Sequence, residues 1–202
     1  MTQTLREIKV AKTKQLIRDT FVELIEEKGF ESISVRDITM KAGLNRGTFY
    51  LHYQDKYDLM EKNQTEILVG LKDAMKDMNP SDLFEHYSND LKYPPIIKVF
   101  EYLTENARFI KVLISSKGDP AFPKKMKNIL KTALYEKLVK LIGTENSLTI
   151  PYEYSTAFIS SAFFGVIEQW FEKDVPHTPE EMAVVHLKIV KFMSQILGGM
   201  VK

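Results

Sequence analysis

Residues 32–60 have the sequence SISVRDITMKAGLNRGTFYLHYQDKYDLM. Ser34, with Asp37 three residues later, predicts the start of a short helix, because this spacing resembles a capping box. Gly43 allows the backbone to turn at positive φ, and Asn45 is suited to cap a second short helix. The stretch therefore predicts two short helices joined by a tight glycine turn, the arrangement of a helix-turn-helix.

The second predicted helix carries polar side chains around a core-facing Phe49. Arg46 has the chemistry for a bidentate contact with guanine, and Thr48 can offer a base edge its hydroxyl or its methyl group. Gly47 lets the backbone come close to a base or a phosphate. Phosphate contact suits the side chains of Tyr50 and His52 and the helix start at Lys56. The alternative is a capped helix whose polar side chains are simply solvated.

Basic residues are concentrated near the start of the chain. The whole chain has 28 basic and 27 acidic residues, for a net charge of +1. Between Arg6 and Arg18, by contrast, five basic residues accompany one acid, Glu7. A phosphate backbone responds to charge within about a Debye length, ~10 Å, so the local balance decides. This segment favours a nucleic-acid partner over a solvated helix end once it is taken with the helix-turn-helix.

Residues 13–60, TKQLIRDTFVELIEEKGFESISVRDITMKAGLNRGTFYLHYQDKYDLM, resemble the DNA-binding domain of the TetR family of bacterial transcriptional regulators. The likeness lies in the spacing G-F-x-S-x-S-V-R-D-I, in A-G-L-N-R-G-T-F-Y and in H-Y-x-D-K. The resemblance implies that Arg36 lies on the bracing helix near the DNA groove. It implies base contacts from Arg46, Gly47 and Thr48, and phosphate contacts from Tyr50, His52 and Lys56. We expect Asn45 to be both a helix cap and a DNA contact.

The same resemblance implies a partner and a mode of regulation. We expect a homodimer that binds an inverted repeat in double-stranded DNA, because a two-fold dimer presents two copies of the reading helix. We expect a repressor that a small effector releases from its operator. Two alternatives remain, which are an activator and a DNA-binding adaptor whose body binds another protein through the exposed loop Tyr87–Pro95.

Helical periodicity runs through almost the whole sequence, and no strand pattern is evident. The sequence predicts an all-α protein of about nine helices, with a helix-turn-helix head over residues 1–55 and a larger helical body over residues 56–202. One short helix is expected near Asp82–Ser88, and a longer helix after Pro95 is expected to bend near Asn106. Thr178 and Pro179 suit the first positions of the last helix.

The last two predicted helices are apolar on more than one side, which is typical of helices buried between their own body and a partner. The candidate dimer interface comprises Phe158, Ala162, Gly165, Val185, Ile189 and Phe192. The segment FISSAFFGVIEQWFEKDVPHTPEEMA, residues 158–183, is similar to the end of the ligand and dimerisation domain in a TetR subgroup that includes regulators of dihydroxyacetone utilisation.

Aromatic and aliphatic residues in the middle of the chain are candidates for an effector pocket, with an ordinary packed core as the alternative. They are Phe100, Leu103, Phe109, Leu113, Phe163 and Trp170. Because no dense charge cluster accompanies them, the expected effector is a small apolar or aromatic molecule.

Several classes of protein and site are disfavoured by the sequence. There are no cysteines, which excludes disulfides and thiolate metal sites. No apolar run approaches the roughly 20 residues that span a bilayer, so we expect a cytoplasmic protein without a membrane partner. The four histidines form no metal-binding motif, and no phosphate loop or nucleophile motif is present. We therefore expect no enzyme activity, no metal and no cofactor.

Overall fold

The computed structural model describes residues 4–79, 82, 86, 92–142 and 150–199. In this part of the chain there are nine α-helices and no strands, which confirms the all-α prediction. The helices are α1 (Leu5–Lys28), α2 (Val35–Lys41), α3 (Arg46–Tyr50), α4 (Lys56–Ala74), α5 (Pro94–Glu105), α6 (Ala107–Ile114), α7 (Phe122–Ile142), α8 (Tyr152–Glu172) and α9 (Pro179–Gly199). None of these described helices is long and apolar enough to cross a membrane.

The chain forms two compact units, and the first is built from two separate segments. It comprises Met1–Ile67 together with Arg108–Phe122. The later segment is held by the Arg108 guanidinium, which pairs with the Glu26 carboxylate at 2.7 Å. The Phe30 N–H also donates to the Lys117 carbonyl at 3.0 Å.

The core of the first unit is made by side chains that follow the helical apolar pattern. Phe21 and Ile25 of α1, Ile38 of α2, Phe49 of α3 and Leu59 of α4 are all fully buried. Gly29 ends α1 at φ 79°, a conformation that favours glycine. The apolar residues of four helices thus meet in one core, and this core fixes the orientation of α2 and α3.

The second unit comprises Leu68–Ala107 and Pro123–Lys202. Its described core includes Phe100, Leu103, Phe164 and Phe171, which are buried. The start of α9 follows the prediction, because the Thr178 hydroxyl accepts from the Glu181 N–H at 3.3 Å and Pro179 is the first helical residue. The compact units do not coincide with the functional division 1–55 and 56–202, which stays a prediction.

Three details refine the sequence prediction of the helices. The predicted bend near Asn106 is a break between α5 and α6, where the Asn106 amide donates to the Tyr102 carbonyl at 2.9 Å. Helix α4 runs on from the helix-turn-helix and ends at Ala74. In the turn that follows α4, the Lys76 carbonyl accepts from the Lys137 ammonium at 2.9 Å. The helix expected near Asp82–Ser88 and the loop tip at 87–91 fall largely outside the described residues.

Candidate nucleic-acid interface

The turn between α2 and α3 is a Schellman motif. The Leu44 N–H donates to the Thr39 carbonyl at 2.9 Å, and the Gly43 N–H donates to the Met40 carbonyl at 3.2 Å. Gly43 has φ 64°, as the sequence predicted from its residue type. These bonds satisfy the last carbonyls of α2 and turn the chain directly into α3.

Asn45 caps α3 as predicted. Its Oδ1 accepts from the Thr48 N–H at 2.7 Å and from the Thr48 hydroxyl at 3.0 Å. A Cβ on Gly47 would lie 3.3 Å from the same Oδ1, a tight contact that glycine avoids. The cap therefore holds the Thr48 side chain in one orientation and favours glycine at position 47.

Burial on one side of α3 leaves its other side exposed. Phe49 is fully buried and Tyr53, just beyond the helix, is nearly so. Arg46 is exposed, and Tyr50 is 55% exposed with its ring edge-to-face against Phe49, at 5.6 Å between centroids. Packing of Phe49 and Tyr53 in the core fixes the orientation of α3. The side chains on its exposed side therefore project outward from a fixed backbone.

Ion pairs join α2 to α1 in the first turn of α2 and at its last residue. Lys41 pairs with Glu27 and, at 3.4 Å, with Glu23. Lys28 pairs with Asp37 at 3.0 Å. The Ser34 hydroxyl donates to the Asp37 carboxylate at 2.7 Å, which, with Lys28 beside it, lowers the pKa of Asp37 to about 2.

The reciprocal bonds between Ser34 and Asp37 complete the predicted capping box of α2. Arg36 is exposed on this helix. The charge pairs to α1 and the cap together fix the helix that carries Arg36.

Lys56 has a structural role that the sequence did not reveal. Its ammonium donates to the carbonyls of Phe30 at 3.1 Å and Glu31 at 2.9 Å. The same ammonium lies 4.8 Å from the centre of the Phe30 ring and 5.1 Å from that of Tyr57. The Asp55 carboxylate at the start of α4 accepts from the Tyr57 N–H at 2.8 Å. The groups expected to hold a phosphate here thus have internal partners, and a phosphate contact by Lys56 stays a prediction.

His52 lies half-buried between α3 and α4, with its ring 6.3 Å from that of Tyr53. Partial burial, and secondly the positive charge of Lys14, lower its pKa below the ordinary value. The neutral imidazole is therefore favoured near neutral pH. The charge of Lys14 on α1 thus acts on His52 across the first unit. Nothing in the sequence indicated that these two residues lie near each other.

The eight residues predicted to contact DNA all lie in the first compact unit. They are Arg36, Asn45, Arg46, Gly47, Thr48, Tyr50, His52 and Lys56. An open groove of about 770 Å³ also lies in this unit, between the first turns of α1 and the end of α3. Thr48 and His52 line it together with residues of α1.

The six candidate pocket residues are all buried, and they divide between the two units. Phe109 and Leu113 belong to the first unit, whereas Phe100, Leu103, Phe163 and Trp170 belong to the second. In the second unit the ring of Phe100 lies 5.9 Å from that of Phe163 and 5.4 Å from that of Trp170, both edge-to-face. These rings form one aromatic cluster.

Two polar groups lie within this aromatic cluster. The indole Nε1 of Trp170 is buried and has no acceptor among the described residues. The His186 ring lies 4.7 Å from Phe163, and burial lowers the pKa of His186 to about 4. The cluster therefore combines apolar walls with an unsatisfied donor and a neutral imidazole.

The candidate dimer residues lie along α8 and α9 and none of them is buried. Phe158 is 61% exposed and Phe192 is 63% exposed. Val185 is 36% exposed, and a Cβ on Gly165 would meet no atom within 4 Å. Exposed large apolar side chains, and a glycine where another helix could approach closely, thus lie on the same two helices.

Two family models match this chain. The model described as "Bacterial regulatory proteins, tetR family" matches residues 17–62. The model described as "Transcriptional regulator C-terminal region" matches residues 93–192. The first covers α2, the turn and α3 described above, and the second covers the helices that carry the aromatic cluster.

Curated relatives from Bacillus subtilis (strain 168) also match. The uncharacterized HTH-type transcriptional regulator YxbF is 21% identical over 184 residues, which cover 89% of this chain and 44% of YxbF. The uncharacterized HTH-type transcriptional regulator YwcC is 34% identical over 76 residues, 35% of this chain and 34% of YwcC. The chain spans less than half the length of these two relatives.

Solved structures share the fold along most of the chain. A TetR transcriptional regulator from Streptococcus agalactiae 2603V has a TM-score of 0.61 and 22% identity, over 92% of this chain and 97% of that one. The dihydroxyacetone kinase operon activator DhaS has a TM-score of 0.56 and 17% identity, over 89% of this chain and 95% of DhaS. At these identities the likeness concerns the fold.

Proposed function

This chain belongs to the TetR family of bacterial regulatory proteins, and from that premise we propose that it represses transcription as a homodimer that a small effector releases from a palindromic operator. The DNA-binding part of this proposal rests on the geometry of α3. This helix is capped by Asn45 and anchored by the buried Phe49, and it leaves Arg46 exposed. A rigid short helix with an exposed arginine suits bidentate reading of guanine in the major groove.

Each proposed contact has a distinct role. Arg46 reads a base edge, and Thr48, held by the Asn45 cap, presents its methyl group or hydroxyl to a neighbouring base. Tyr50 and His52 at the end of α3 contact phosphates and set the register of the helix in the groove. Arg36, exposed on α2, lies beside the groove.

Selection of bound duplexes from a random DNA pool tests this function. The selected site should be an inverted repeat whose half-site centres lie about 34–36 Å apart, or a multiple of that distance. Arg46→Ala should relax the preference at one position in each half-site and cost about 1–3 kcal/mol there. Selection of sites without a dyad, or recovery of no sequence preference, would contradict the proposal.

The exposed face of α8 and α9 supports the homodimer. Phe158, Val185 and Phe192 present apolar area that a second copy of the same face would bury, as a two-fold interface requires. Exposed Gly165 allows the two copies of α8 to approach closely. If the wild-type protein were monomeric in sedimentation, the face would instead suit the protein partner of an adaptor.

The aromatic cluster of the second unit supports an effector site. A buried donor without an acceptor costs about 1–3 kcal/mol, so a ligand that supplies an acceptor to Trp170 Nε1 would gain that amount by binding. Phe100 and Phe163 would contact its apolar part. The chemistry of the cluster therefore suits an aromatic or apolar molecule that carries one carbonyl or ether oxygen. If it weakens operator binding, operator DNA must weaken ligand binding by the same factor.

Trp170 is the single tryptophan of the chain, so its fluorescence reports directly on this cluster. Compounds of the stated class should change the emission and reduce operator affinity together. Trp170→Phe removes the donor and keeps an aromatic ring, and it should weaken the ligand about ten-fold or more while operator binding is retained. Leu103→Trp should fill the site and abolish the response. A ligand that releases the operator without changing Trp170 emission would place the effector site elsewhere.

A further inference from the structure

The groove between α1 and the end of α3 has a basic rim that the predicted DNA contacts do not include. Its basic side chains are Arg6, Lys9 and Lys14, and all three are exposed. None of the described residues that line it is acidic. The one acid of the first turn, Glu7, accepts from the Thr4 N–H at 2.8 Å and so serves the helix cap. The groove therefore carries three positive charges and no negative charge.

Exposed apolar side chains line the same groove. Leu51, which follows α3, is 80% exposed, and Leu5 of α1 is also 80% exposed. Val10 of α1 is 38% exposed beside them. A surface that combines exposed aliphatic and cationic side chains suits a sugar-phosphate strand, which offers apolar deoxyribose faces and anionic phosphates.

The groove is continuous with the surface proposed to read bases. Thr48 and His52 line it, and both are also proposed DNA contacts. A duplex whose major groove receives α3 would therefore bring one strand towards this groove. This continuity favours DNA over an acidic peptide as the occupant.

We propose that the groove between α1 and α3, with Arg6, Lys9 and Lys14 along its rim, binds the DNA backbone beside the bases that α3 reads. This inference rests on the proposed DNA-binding function. It extends the contacts of the reading head from the helix-turn-helix to the first three turns of α1. It also gives the concentration of basic residues near the start of the chain a specific task.

The salt dependence of binding tests the proposal, with Lys12 as the matched control. Lys12 is an exposed lysine of the same helix that does not line the groove. The full chain and its Lys9→Gln, Lys14→Gln and Lys12→Gln variants are titrated with the selected operator duplex over a range of KCl concentrations. Each lost phosphate contact should lower the slope of log K against log salt by about 0.9.

At ~0.15 M salt a change of about 0.9 in this slope corresponds to roughly five-fold weaker binding for each lost contact. Lys9→Gln and Lys14→Gln should show this loss, and Lys12→Gln should bind like the wild type. On a duplex trimmed to the bases under α3, the wild type and the Lys9→Gln variant should bind alike. Equal slopes for all four proteins, or an equal loss in Lys12→Gln, would overturn the inference. A wild type that binds no duplex would instead refute the proposed function itself.

Discussion

Replacing Lys56 by methionine removes a charge that the structure uses internally. Methionine keeps the aliphatic stem but offers no donor to the carbonyls of Phe30 and Glu31, which lie 3.1 and 2.9 Å from the ammonium. It also removes the cation from the faces of Phe30 and Tyr57. These contacts join the start of α4 to the turn that follows α1, so the variant should be less stable.

The magnitude follows from the exposure of each contact. The bond to the Phe30 carbonyl is partly buried, and a hydrogen bond to a charged group contributes about 1.5–3 kcal/mol. The bond to the Glu31 carbonyl is exposed, so water replaces it at little cost. The cation–π contacts add about 0.5–1 kcal/mol, and the release of lysine rotamers returns up to ~2 kcal/mol. The first two terms sum to about 2–4 kcal/mol, so with up to ~2 kcal/mol returned the net expected loss centres on about 2 kcal/mol.

Thermal unfolding at fixed protein concentration measures this loss. For a chain of this length we expect the Tm to fall by about 2–8 °C. Lys12→Met is the control, since Lys12 is exposed and has no hydrogen bond or ion pair among the described residues. The salt slope of operator binding measures the predicted phosphate contact separately, since a slope lower by about one in Lys56→Met would show that the ammonium also binds phosphate. If Lys56→Met were as stable as the control, the internal role of the ammonium would be refuted.

Three other perturbations have defined outcomes. Gly43→Ala should cost about 1–2 kcal/mol in chemical denaturation through backbone strain alone, because φ is 64° and a Cβ there meets no neighbour; an unchanged midpoint would contradict this. Asp37 has a pKa of about 2 against an ordinary 3.8, so its stabilising effect should be complete above about pH 4 and lost as the pH falls towards 2. That acid loss should shrink in Ser34→Ala, and an identical pH profile in this variant would refute the assignment. Val185→Glu should shift sedimentation from dimer to monomer while the protein stays folded, whereas Val69→Glu, exposed on α4, should not; equal effects would move the interface off α9.

The helix-turn-helix was predictable because its signals are local. Ser34 and Asp37 are three residues apart, Asn45 bonds a residue three positions later, and Gly43 needs only its own φ. A residue type at such a spacing has few competing partners. The sequence therefore located both caps and the turn, and the structure confirms them.

Contacts between distant residues were not predictable in this way. Lys56 reaches a carbonyl 26 positions earlier, and Arg108 reaches Glu26 across 82 positions. A lysine at a helix start near a DNA-binding motif suggests a phosphate contact. Its intramolecular partners depend on how α1 and α4 pack, which the local sequence does not reveal. For the same reason the basic residues of α1 gave a charge balance but not the groove that they line.

The segment Arg108–Phe122 limits how the first compact unit can be exchanged between proteins of this family. In the chain order it lies among residues that the C-terminal family model covers, but it packs within the first compact unit. A reading head transplanted as one contiguous cassette would leave behind the partners of Glu26, Phe30 and Gln64. A successful chimera must therefore carry two pieces, the head and this later segment, or match the recipient's own version of it. Exchanges of the first unit between chains are thus constrained to those that preserve these contacts.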